Sequence, residues 1–161
     1  MNVKIICASY TGTTFGIAEQ IRNACGGEIM EIRSRDLLSR FVAFMARHSP
    51  GMVVRDSGTL PDSIDLSGSD LVVIGTPVWG GKPVPAIRKA LAVLRGCKGK
   101  KAVIFATCGE KPGTTLQVLE KDLAAKGMTI AGQFSLNKKE IDDGTLVAAL
   151  IATVQVAMRQ A

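Results

Sequence analysis

Aromatic residues are scarce in this chain: one tryptophan, one tyrosine and five phenylalanines amount to 4% of it. A surface that reads single-stranded nucleic acid concentrates its cations and interleaves them with stacking rings. Here the excess charge, +6 from 20 Lys and Arg against 14 Asp and Glu, is spread along 161 residues. Its one dense cluster, Arg95, Lys98, Lys100 and Lys101, reads as a solvated helix-to-strand turn, so no nucleic-acid partner is expected. The same balance would attract an acidic protein. Histidine occurs once, at His48, with no recognisable Ser or Cys partner for a triad. The four cysteines, Cys7, Cys25, Cys97 and Cys108, contain no C-x-x-C pair and have no histidine nearby, which argues against a zinc or iron-sulfur site and suits a reducing cytoplasm. Long apolar runs are missing too. The most apolar segment, Leu146 to Met158, falls short of the ~20 residues a bilayer requires and carries Thr153 and Gln155. Met1-Asn2-Val3-Lys4 leads into a strand-like run without the order of a secretory signal. No Pro, Gly, Ser or charge-rich stretch divides the chain, so a single domain over 1–161, cytoplasmic and with no membrane span, is expected.

What is present is a regular alternation. Apolar runs at 1–8, 28–32, 70–75, 101–107 and 128–136 read as strands. Helical spacing predicts helices over 13–25, 36–47, from Val84 to Leu94, 114–126 and 142–159. The stretch 49–69, with Pro50, Gly51, Gly58, Pro61 and Gly68, reads as a surface connection. Strands alternating with helices imply an α/β fold, a parallel sheet with helices on both faces. Five strands in this order predict a doubly wound sheet of strand order 2-1-3-4-5, whose ligands bind beyond the carboxyl ends of the strands where the order reverses. The loops after strands one, three and four must then face one another.

The first of these is Ser9-Tyr10-Thr11-Gly12-Thr13-Thr14, at a strand-to-helix turn. The leading amides of a helix have no partner inside it and lie at the positive end of its dipole, which suits an anion. No Lys or Arg lies between Lys4 and Arg22, so a phosphate here would be held by hydrogen bonds rather than by an ion pair. A Walker loop would need a lysine after its last glycine, and a dinucleotide fingerprint would need three spaced glycines where only Gly12 and Gly16 occur, although Glu31 lies roughly where that fold puts its ribose acid. A plain helix cap and tight turn would use the same residue types. The second loop, Gly75 to Pro83, holds the lone tryptophan: Trp79 is a candidate wall for a planar ligand, or else a buried anchor for the helix that follows. Gly80-Gly81 allows a peptide there to rotate. The third, Thr107 to Gly113, brings further amides to the same edge, or is simply a turn. Together the three offer what flavin mononucleotide (FMN) needs.

The motifs S-x-T-G-x-T, G-T-P-x-W-G-G and A-T-C-G-x-x-P-G, in that order, resemble those of the flavodoxin family, short-chain flavodoxins and flavodoxin-like FMN reductases alike. The resemblance covers essentially the whole chain and implies a flavodoxin-like fold with FMN as cofactor. It implies that Ser9, Tyr10, Thr11, Gly12, Thr13 and Thr14 hold the phosphate, that Thr76, Pro77, Val78, Trp79, Gly80 and Gly81 flank the isoalloxazine, and that Thr107, Cys108 and Gly109 contact its edge. It also implies a peptide at Gly80-Gly81 that turns when the flavin is reduced. The chain departs from the family in Cys7 for the usual aromatic, in its basic charge, and in the lack of an aromatic in the third loop. Three functions are compatible: an electron carrier serving redox partner proteins, acidic ones given the charge; an FMN-dependent NAD(P)H oxidoreductase reducing a quinone or other small acceptor; and a cofactor-free binding module of the same fold.

Overall fold

The computed structural model describes residues 1–33 and 60–161. The helix expected over 36–47, His48 and the first part of the 49–69 connection lie outside the described residues. In chain order the elements are β1 (Val3–Ala8), α1 (Thr13–Cys25), β2 (Glu28–Ile32), β3 (Ile64–Asp65), β4 (Leu71–Trp79), β5 (Lys82–Pro83), α2 (Pro85–Ala92), β6 (Leu94–Arg95), β7 (Lys101–Thr107), α3 (Thr115–Ala124), β8 (Thr129–Leu136), α4 (Lys138–Asp143) and α5 (Thr145–Arg159). The long strands pair in parallel in the order β2-β1-β4-β7-β8, which is the expected 2-1-3-4-5.

The three central strands are apolar at nearly every position because both of their faces are covered. Alternate residues feed two separate cores. Ile6, Ala8, Val72, Ile74, Ala102 and Ile104 meet Ile87 and Leu91 of α2 and Leu119 and Leu123 of α3. Ile5, Cys7, Leu71, Val73, Val103 and Phe105 meet Ile17 and Ile21 of α1 and Leu150 and Val154 of α5. Gly75 stands opposite Phe105 in register, and a Cβ on it would lie 2.3 Å from the Phe105 ring, so the ring fills the space that a side chain would take. Among the described residues no helix is long and apolar enough to cross a membrane.

Three expectations are corrected. The third strand does not stop at Gly75: β4 runs on to Trp79 and folds back on β5, with Val78 opposite Pro83 and Trp79 opposite Lys82. Gly80 (φ 59°) and Gly81 (φ 74°) form its turn, with the two positive φ values that a type I′ hairpin needs. The end of the 49–69 stretch is not surface connection. Ile64 and Leu66 are buried, and β3 pairs in parallel with β6, which therefore follows the α2 helix rather than extending it. Finally, a short helix, α4, separates β8 from α5. Its start is a capping box in which the Asn137 side chain accepts from the Glu140 N–H (3.0 Å) and the Glu140 carboxylate accepts from the Asn137 N–H (2.8 Å).

Candidate functional site

β1, β4 and β7 lie side by side, so their carboxyl ends open into one crevice of about 580 Å³. The loop after β1 turns through Gly12 in the left-handed region (φ 93°). Its N–H donates to Ser9 Oγ (3.1 Å), while its carbonyl accepts from Gly16 N–H (2.8 Å) and so opens α1. No side chain caps that helix, and its leading amides are the ones a helix cannot satisfy internally. Thr11 and Thr13 place their hydroxyls 3.2 Å apart on the crevice wall. Behind them Thr14 Oγ1 and Thr107 Oγ1 share a buried hydrogen bond of 2.8 Å, which pins the first loop to the end of β7. Such a bond contributes about 1 kcal/mol net, and rather more is lost if one partner is removed and the other stays buried.

Tyr10, Thr11, Thr13 and Thr14 line one side of the crevice, and Pro77 and Val78 of β4 line another. Thr107, Cys108 and Gly109 close it from β7. Tyr10 is only 6% exposed and packs into the core beside Ile6 and Ala8. The Cys108 N–H donates to the Leu136 carbonyl (3.0 Å), and burial, then the nearby Glu140 carboxylate, push its thiol up, so that this wall stays neutral.

The remaining expected residues are placed differently. Ser9 and Gly12 shape the first loop from within. Thr76 is fully buried, with its hydroxyl donating to the Pro77 carbonyl (2.8 Å) and accepting from Val84 N–H (3.2 Å), which ties the hairpin to the start of α2. Gly80 is exposed at the hairpin tip. Gly81 is clamped to the third loop: its carbonyl accepts from Thr114 N–H (2.8 Å), and a Cβ on Gly113 would lie 2.5 Å from Gly81 Cα. Trp79 does not line this crevice. It packs instead against the core under α2 and α3. Glu31 is held by Arg33 on β2, away from the crevice lining.

Lys138, Ile141 and Asp142 of α4 complete the mouth, and sequence reasoning missed all three. Lys138 and Asp142 form an exposed ion pair of 2.9 Å. A cation thus reaches the crevice from the far end of the chain, where the first loop has none of its own. The readable signal was Asn137-x-x-Glu140 directly after a strand, with Gly144 as the stop.

No protein-family model and no curated protein matches the sequence. Solved structures do match. The two-electron reduced flavodoxin of Megasphaera elsdenii is 19% identical with a TM-score of 0.65, each chain covering 98% of the other. A candidate flavoprotein of Bacteroides eggerthii is 25% identical with a TM-score of 0.64, each covering 97%. A flavoprotein of Lactobacillus acidophilus, solved in complex with FMN, is 20% identical with a TM-score of 0.57 over 88% of this chain and 97% of that one. With the strand order described above, these matches define the class: the chain has a flavodoxin-like fold. The likeness read from the three loop motifs is borne out at that level.

Proposed function

We propose that the chain binds FMN in this crevice and serves as an electron-transfer protein of the flavodoxin kind. The observation that carries the reading is a hydroxyl-lined helix start and an apolar slot within one cleft of about 580 Å³, inside the usual range for small-molecule sites. The residues present fit the cofactor. Thr11, Thr13 and the leading amides of α1 suit its phosphate, and Pro77, Val78 and Cys108 suit the faces and edge of its ring. The flavin of the similar Lactobacillus protein supports the choice of nucleotide.

When bound, FMN would supply the capacity to take up and release electrons, and the protein would set its surroundings. In this reading Thr11 and Thr13 donate to the phosphate, and Thr14, fixed by Thr107, holds their loop in place. Pro77, Val78 and the protonated Cys108 keep water and negative charge from the ring. The net charge of +6 favours acidic redox partner proteins.

Titration of purified protein with FMN should give one-to-one uptake with quenched flavin fluorescence. Under anaerobic conditions NADPH alone should leave that flavin oxidised, whereas NADPH with a separate reductase protein should bleach it. Rapid bleaching by NADPH alone would transfer the chain to the NAD(P)H-dependent oxidoreductases. A colourless protein that ignores FMN would leave the cofactor-free module.

A further inference from the structure

The hairpin that walls the crevice has a second side. There Trp79 and Lys82 meet Arg88 and Lys89 of α2 around a hollow of about 460 Å³, floored by Pro83, Pro85 and Val118. A further hollow of about 400 Å³ shares Arg88 and Lys89 and continues along α2 and α3 past Leu91 and Ala125 to Lys126. The eight residues of α2 make this groove at least ~12 Å long.

Its charge is one-sided. Among the described residues no carboxylate lines the hollow beside Trp79, and the one acid in the adjoining hollow, Asp122, already accepts from Arg88 Nε (2.9 Å) and Nη2 (3.2 Å). A guanidinium has five donors, so Arg88 keeps three for another acceptor. Lys126 donates to the carbonyls of Ala92 (2.9 Å) and Leu94 (3.3 Å) and keeps one proton of its ammonium. The groove therefore combines an indole, an apolar floor and four cations strung in one direction. A flat ring can stack on the indole, and phosphates can run along the cations.

We propose that the α2–α3 groove is a nucleotide site separate from the crevice, with the base against Trp79 and the phosphates directed along Arg88 and Lys89 towards Lys126. Neither half of the groove would select such a ligand alone. Apolar packing without charge would take any hydrophobe, and lysines on an open surface would take any anion. The inference is independent of the FMN reading, because the two sites share no lining residue.

Trp79 is the only tryptophan, so its fluorescence reports on this groove alone among the chain's side chains. Titrating the flavin-free protein with ADP should give a saturable change in that fluorescence and a matching heat by calorimetry. Adenosine and tripolyphosphate, which supply the ring and the charge separately, should each bind about tenfold more weakly or worse. The double variant Lys82→Ala/Lys89→Ala should weaken ADP by about tenfold while FMN uptake, read from flavin absorbance, stays as in the parent. Absence of ADP binding at millimolar concentration would overturn the proposal, as would ADP binding that the double variant does not alter or that FMN displaces. Tripolyphosphate as tight as ADP would reduce the groove to a bare anion patch, and a polyglutamate peptide binding where ADP does not would give it to an acidic protein. Failure of FMN to bind would leave each of these readings untouched.

Discussion

Cys7 illustrates what burial does to a single side chain. Its thiol is shut into the core beneath α1 and α5, and burial, then the Glu31 carboxylate, push it up to about 12 from an ordinary 9.0, with Arg33 pulling the other way. The folded state therefore holds its proton across a range in which an unfolded chain releases it. The contribution to stability is complete below pH 9 and is lost as pH rises from about 9 to about 12, at about 1.4 kcal/mol per pH unit for one proton. Cys25, Cys97, Cys108 and Tyr10 are raised by burial as well, so the wild-type decline is shared among several groups. Cys7→Val should flatten the alkaline fall in urea-unfolding free energy by about one proton's worth of slope. Identical slopes in the two proteins would mean that the thiol ionises without hindrance in the fold. The sequence showed a cysteine in an apolar strand, but the depth of its burial depends also on α5, a helix from the far end of the chain.

At the scale of the element, α4 is the least autonomous piece of the site. It has six residues, none of them buried, and is held by the reciprocal Asn137–Glu140 bonds at one end and by Gly144 in the left-handed region at the other. Its role is to carry Lys138, Ile141 and Asp142 to the crevice mouth. Asn137→Ala should cost about 1 kcal/mol of stability, the usual worth of such a cap. It should also weaken FMN binding by a few-fold, the loosened wall being part of the site, whereas Asn137→Asp should retain both properties. Equal FMN affinity in the alanine variant would take α4 out of the binding site. Capping residues are legible in a sequence, and so is the Gly80-Gly81 turn. An element too short to show an apolar stripe is not, which is why no separate helix is expected between the strand over 128–136 and the helix over 142–159. The two-residue strands β3 and β6 escaped for the same reason, each being too brief for a period to register.

At the scale of the whole molecule, the parallel order is what turns separate loops into one cleft. Thr14 and Thr107 are 93 residues apart and touch only because β1 and β7 both flank β4. The charge belongs to this scale too. An excess of +6 spread over the surface gives the chain a long-range attraction for acidic proteins, and salt screens it over about 10 Å at 0.1 M. The rate at which an acidic electron-donor protein reduces the FMN-loaded chain should therefore fall by about tenfold between low and high ionic strength. A rate indifferent to salt would show that charge does not steer the encounter.

The sequence by itself determined the alternation of strands and helices, the 2-1-3-4-5 order and the three loops that meet, because each of these follows from local periodicity and from strands apolar enough to need cover on both faces. Only the tertiary structure decided what the crevice contains. Lys138 arrives on a short helix from the far end of the chain, while Trp79 leaves because β4 runs on past Gly75 into a hairpin that sets it against the core under α2 and α3. A residue's facing depends on where its strand ends, and that end was set by a hairpin pressed against Gly113 and Thr114, a contact that no local pattern records.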